Sequence, residues 1–197
     1  MGYNLGKFIF DRVASLIGLI VLSPILLICA IAVMVDFGTL NPLFRQKRVG
    51  RDARLFTIYK FRTMQKGSTC SVAVSNDTHI SRVGRFMRHC KLDELPELFN
   101  VLISDMSLVG PRPDVPGYAD KLEGEARVIL KMRPGITGPA SLKYAREDDI
   151  LAQVDDPQRY NDEVIYPDKV RINIEYYYNH SFIGDMKMIL KSILHRF

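Results

Sequence analysis

With 197 residues the chain is long enough for one domain with its own core and does not require two. Charged residues at 25% and hydrophobic residues at 47% are ordinary globular proportions, and a formal charge of +5 suits anionic lipid, phosphate or nucleic acid without choosing among them. Three cysteines without paired or Cys-x-x-Cys spacing exclude a disulfide framework and a thiol zinc site, and the four histidines lack the spacing of a metal cage.

From Val13 to Val35 there is no charged side chain, a run long enough to cross a bilayer at about 20 residues per span. Ser23-Pro24 falls near its middle, where proline removes a backbone donor and clashes with the preceding turn, so a bend is expected there. Lys7 and Arg12 precede the run, and Arg45, Lys47, Arg48, Arg51 and Arg54 follow it. Both ends therefore read as cytoplasmic. A helix that enters, breaks and returns to the same face fits the charge and the proline; a single span would leave the basic N-terminus on the wrong side. No cleavage site for a signal peptide precedes the charged segment.

Residues 55–64, rich in aromatic and β-branched types, predict a short strand that puts Lys60 and Arg62 on one face. The polar stretch from Gln65 to Asp77 predicts a surface loop or a lid, and Lys66-Gly67-Ser68 lacks the glycine and strand of a P-loop. Leu92, Leu95, Leu98, Phe99 and Leu102 recur at helical spacing with Pro96 in the first turn, which places Asp93 and Glu94 at a helix start. Two prolines and a glycine in Ser107-Leu-Val-Gly-Pro-Arg-Pro113 predict a rigid loop carrying Arg112, and a second such turn lies at Arg133-Pro-Gly-Ile-Thr-Gly-Pro139. Asp148 to Asp168 reads as a solvated helix and loop. Phe182, Ile183, Met186, Ile189, Leu190, Ile193, Leu194 and Phe197 form an apolar helical stripe, suited to the core or to a membrane interface.

A helix start carries partial positive charge and free N–H groups, so it binds phosphate and stabilises neighbouring carboxylates as anions. Asp93 and Glu94 meet that description, and two hard carboxylates beside phosphates are a ligand set that Mg²⁺ accepts. On the residues alone, a helix cap at Asp93 explains the pair equally well. Lys60, Arg62, Arg88 and Arg112 are expected to converge on a pyrophosphate by charge pairing.

Five ordered motifs, Lys60-Phe-Arg-Thr-Met64, Leu92-Asp-Glu-Leu-Pro96, Phe99-Asn-Val-Leu102, Asp105-Met-Ser-Leu-Val-Gly-Pro-Arg-Pro113 and Arg133-Pro-Gly-Ile-Thr-Gly138, resemble the bacterial sugar transferase family, the monotopic phosphoglycosyl transferases. The likeness runs from the Ser23-Pro24 break to the C-terminal helix, and the length resembles the minimal catalytic form. It implies an α/β fold, mostly helical with a small sheet, in which residues 1–40 form a re-entrant membrane hairpin and residues 41–197 a cytosolic catalytic domain with interfacial amphipathic helices. It also implies Asp93 as nucleophile toward the β-phosphorus of a UDP-sugar with UMP leaving, Glu94 in proton handling or metal placement, and Mg²⁺ held by Asp93 and Glu94. Lys60, Arg62, Arg88 and Arg112 would hold phosphates, and polyprenyl (undecaprenyl) phosphate would accept the phosphosugar.

The implied setting is the bacterial inner membrane with the catalytic domain facing the cytoplasm, with membrane lipid but no nucleic acid as a partner; a homodimer is left open. After Ile136-Thr-Gly138 this chain continues Pro139-Ala-Ser-Leu-Lys-Tyr-Ala-Arg146 where many members have Trp-Ala-Gln-Val-Asn-Gly-Arg, which leaves the sugar undetermined. Two other readings use the same residues: a membrane-bound, Mg²⁺-dependent pyrophosphatase, and a non-catalytic basic membrane scaffold.

Overall fold

The computed structural model describes residues 2–65 and 80–194. The loop expected from Gln65 therefore lies almost wholly outside the described residues, as does Phe197 of the C-terminal stripe.

The chain opens with α1 (Gly2–Val21) and α2 (Ser23–Phe37), which meet at a bend of 63°. The break sits where proline predicts it. Pro24 has no N–H for the Ile20 carbonyl, and Ser23 Oγ donates to that oxygen instead at 2.7 Å. Among the described residues no single helix is long and apolar enough to cross a membrane, although the bent pair meets that test together. Gly38, at φ +57°, ends α2 in the left-handed region.

Sidedness in α1 is reversed from that of a water-soluble helix. Lys7, Asp11, Ser15, Gly18 and Leu22 recur on one face, and this stripe turns inward, with Asp11 4% and Ser15 0% exposed. Apolar Ile17 and Ile20 are 55% and 64% exposed on the other side. Polar bonds hold the inner face: Lys7 pairs with Asp185 at 2.5 Å, and Ser107 Oγ donates to Asp11 Oδ2 at 2.6 Å. Through Cys29 and Val33, α2 packs on Phe61 and Met87.

Beneath the helix pair, β1 (Leu43–Val49) and β2 (Leu55–Phe61) form an antiparallel hairpin with Leu43 opposite Phe61 and Val49 opposite Leu55. The strand expected over 55–64 stops at Phe61, so Arg62 lies beyond it and does not share a strand face with Lys60. The chain turns away there because Thr63 receives α3 (Arg82–His89): a Cβ on Gly84 would stand 2.3 Å from the Thr63 carbonyl oxygen.

The helix expected over 92–102 is broken. Lys91 takes a left-handed conformation at φ +53°, a 3₁₀ turn covers Leu92–Glu94, and α4 spans only Glu97–Leu102, with Pro96 as its N-cap. The buried Asn100 of α4 clamps β2, accepting from Tyr59 N at 3.1 Å and donating to the Thr57 carbonyl at 2.7 Å. Phe56, Ile58, Val101 and Met106 fill the core between them.

The two Pro-Gly loops pack on each other as a short parallel pair, β3 (Ser107–Val109) beside β4 (Gly135–Thr137). Their backbones come so close that a Cβ on Gly135 would meet Gly110 N at 2.1 Å, so neither loop tolerates a side chain at the contact. The remaining helices are α5 (Pro139–Lys143), α6 (Glu147–Leu151), α7 (Pro157–Tyr160), α8 (Tyr166–Asn179) and α9 (Phe182–Leu194), with a π-helical turn at Asn161–Ile165 leading into α8. Only one face of α9 packs inward, through the buried Asp185; Phe182, Ile183, Leu190, Ile193 and Leu194 remain exposed. The fold is mostly helical with small sheets.

Candidate active site

A cleft of about 1310 Å³ opens between the β-hairpin, the dyad turn, the Pro-Arg-Pro loop and α8. Lys60, Arg62, Arg88, Asp93, Glu94 and Arg112 all line it, so the six residues marked by the sequence come together. Left-handed Lys91 ends α3 abruptly, and the 3₁₀ turn then drives Asp93 and Glu94 inward, where both are buried.

The two neighbouring carboxylates are in opposite states. Glu94 Oε1 receives Arg112 Nη2 at 2.7 Å and Lys60 Nζ at 3.0 Å. Burial opposes its ionisation, but Arg112 and Lys60, with Lys91, outweigh that and hold its carboxyl well below the usual range. Asp93 Oδ1 is buried and makes no hydrogen bond. Burial and the Glu94 charge push its carboxyl upward, against Lys60, Lys91 and Arg88. Glu94 is thus a fixed anion that organises cations, and Asp93 is a desolvated, more basic oxygen with no partner.

The cations divide as well. Lys60 and Arg112 meet on Glu94, while Arg88 is aimed by Nε donating to Thr63 Oγ1 at 3.0 Å. Arg62 lines the cleft but makes no ion pair with the dyad among the described residues. Half-exposed Arg112 keeps its remaining guanidinium edge toward the cleft, free for an anionic ligand.

Two residues escaped the sequence reading. Lys60 Nζ also lies 3.0 Å from Oε1 of the buried Glu97, whose carboxyl is pushed up to about 7 by burial, with Lys60 opposing and Glu94 adding to the rise. Glu97 stands three residues after Glu94, the helical spacing that would have found it. Lys91 acts on both dyad carboxylates, and only its backbone conformation brings it there.

Among the described residues no three Asp, Glu, His or Cys side chains converge as metal ligands. The orphan oxygen of Asp93 suits a hard cation whose other ligands are phosphate oxygens and water, the manner in which Mg²⁺ is commonly held. Glu94 offers less, since its Oε1 is already taken by two cations.

Residues 2–197 match the model of the family described as bacterial sugar transferase. The chain belongs to that family. Among curated relatives, this family member is 34% identical over 192 residues to the UDP-N-acetylgalactosamine-undecaprenyl-phosphate N-acetylgalactosaminephosphotransferase of Aeromonas hydrophila, covering 93% of this chain and 41% of that one. It is 40% identical over 152 residues to the UDP-glucose:undecaprenyl-phosphate glucose-1-phosphate transferase of Xanthomonas campestris pv. campestris, covering 73% and 31%. The exopolysaccharide production protein PSS of Rhizobium leguminosarum bv. phaseoli is 34% identical over 202 residues, and there the match covers 95% of this chain and 93% of the relative. The chain thus spans less than half the length of the first two relatives and nearly all of the third.

Proposed function

We propose that this protein moves a sugar-1-phosphate from a UDP-sugar to a polyprenyl phosphate such as undecaprenyl phosphate, through a covalent phosphosugar on Asp93. The observation that carries the reading is the buried, unpartnered Oδ1 of Asp93 at the floor of a cleft ringed by Lys60, Arg62, Arg88 and Arg112. The names of the relatives, which act on UDP-sugars and undecaprenyl phosphate, support the substrate classes.

One carboxylate oxygen of Asp93 attacks the β-phosphorus, a new P–O bond forms to the carboxylate, and the bond to the bridging oxygen breaks as UMP leaves with that oxygen. A phosphate oxygen of the polyprenyl phosphate then attacks the same phosphorus and releases the Asp93 carboxylate, giving a polyprenyl diphosphosugar. Arg112, held by Glu94, and Arg88, held by Thr63, take the diphosphate charge. Bound Mg²⁺ would be held by Asp93, with Glu94 beside it, and would neutralise charge on the phosphates. Desolvation of Asp93 strengthens its basicity and with it the attack.

Residues 1–40 form the membrane hairpin in this reading, residues 41–197 the cytosolic catalytic part, and the setting is the bacterial inner membrane. Both ends of the helix pair are tied to the same body: α1 by the Lys7–Asp185 pair and α2 by its short run into β1. The apolar outer sides then enter one leaflet and return, and α9 adds its exposed stripe to the same interface. A buried lipid and a soluble nucleotide sugar meet at that level.

UMP release measured over a panel of UDP-sugars with Mg²⁺, with and without undecaprenyl phosphate, tests the reading. One or more donors should give sustained UMP release only with the lipid. Sustained release without lipid would make the protein a hydrolase instead.

A further inference from the structure

The cleft has a second end that the chemistry above does not use. Besides Asp93, four cleft-lining residues carry buried polar atoms that make no hydrogen bond: Arg48 Nε, Ser141 Oγ, Tyr166 OH and Asn173 Oδ1. Buried polar atoms are nearly always paired, and each orphan disfavours the fold by about 1 to 3 kcal/mol. Three of them, on Ser141 of α5 and on Tyr166 and Asn173 of α8, share one wall and indicate a surface completed by something that enters it, whereas Arg48 lies on β1 close to Arg112 and Glu94.

Local structure points the same way. The π-helical turn at Asn161–Ile165 sets the start of α8, and Tyr166 and Asn173 lie seven residues apart on one face of that helix, with Ser141 on the adjacent α5. Asn173 is only 7% exposed.

The cation on this wall is paired: Lys169 meets Glu147 at 2.6 Å, and Asp114 lies close to it as well. The orphans on α5 and α8 are an amide acceptor and two hydroxyls that serve as either. Burial, with Asp114 adding to it, raises the Tyr166 phenol, which therefore stays protonated and able to donate. A neutral group bearing several hydroxyls meets all three requirements. Phosphates do not, since they offer acceptors only and belong at the Arg112 end.

We infer that Ser141, Tyr166 and Asn173 form the subsite that reads the hydroxyl and amide substituents of the transferred sugar. The inference rests on the transferase reading above and adds to it the residues that choose the donor.

The test compares Ser141→Ala, Tyr166→Phe and Asn173→Ala with wild type in kcat/KM for UDP-glucose, UDP-galactose, UDP-N-acetylglucosamine and UDP-N-acetylgalactosamine, with inhibition by UMP measured alongside. Each variant should lose about tenfold on the preferred donor and less on the others, so that the order of preference narrows or changes, while UMP inhibition stays within twofold. Melting temperatures of Ser141→Ala and Tyr166→Phe should not fall, since no internal partner is lost. Equal losses on every donor with weaker UMP inhibition would assign the wall to the nucleoside and overturn the inference, and so would unchanged kinetics. Wild-type silence toward all donors would overturn the transferase reading and this one with it.

Discussion

The body beneath the cleft and the helix α1 that lies against it hide opposite kinds of residue. Between β2, α4 and β3 the chain buries Phe56, Ile58, Val101 and Met106, as water demands of a soluble core. At α1 it buries Asp11 and Ser15, draws in the half-buried Lys7, and turns Val13, Leu16, Ile17 and Ile20 outward. Both arrangements put unlike surroundings on the two sides of an element, and on the proposed reading hydrocarbon is the outer medium that makes the sidedness of α1 favourable. A lipid phosphate and a nucleotide sugar would both be available where the two rules meet.

A charge on the outer face should break this contrast most severely. Ile17→Asp exchanges an apolar, exposed side chain for one that costs about 3 to 4 kcal/mol in hydrocarbon, so binding to vesicles of bacterial lipid should fall at least a hundredfold in a flotation assay. The same change on a soluble surface would leave flotation untouched and would place α1 in water.

A smaller effect is expected inside the body, at its most costly polar group. Glu97 titrates near 7 in the folded protein, above its ordinary 4.5, so the stability it contributes is complete below about 4.5 and is lost as pH rises through 7. Glu97→Gln, which resembles the neutral carboxyl, removes that loss, worth about 3 kcal/mol at high pH with the opposing attraction of Lys60 already included. Melting curves should show a variant that matches wild type at pH 5 and exceeds it at pH 8. A gap that closes on raising the pH would contradict the buried, raised carboxyl.

Much of this site was legible because its parts are local. Pro24 marks the bend, and Asp93, Glu94 and Arg112 sit in short segments whose glycines and prolines leave the backbone little choice. Chain-distant contacts escaped. β1 was missed because Arg45, Lys47 and Arg48 read as membrane-flanking charge, although Arg45 and Lys47 share one face of a strand opposite β2 and Arg48 lies on the other. The three-residue β3 and β4 are too short to show a period, and their pairing depends on two glycines brought together from positions 110 and 135. The dyad helix was drawn as continuous because leucine spacing ignores backbone sign, and the left-handed Lys91 with Pro96 divides it. Nothing in the sequence linked Lys7 to Asp185, or grouped Ser141, Tyr166 and Asn173 into one wall.

The central claim is that Asp93 becomes covalently phosphorylated, and a single-turnover experiment reaches it most directly. Wild-type protein mixed with its preferred UDP-sugar and Mg²⁺, without polyprenyl phosphate, should release about one UMP per enzyme in a burst and then stop. Asp93→Asn should release none, with overall turnover down at least about a thousandfold and vesicle binding unchanged. A stoichiometric burst from Asp93→Asn, or UMP release by wild type only after lipid is added, would contradict the account.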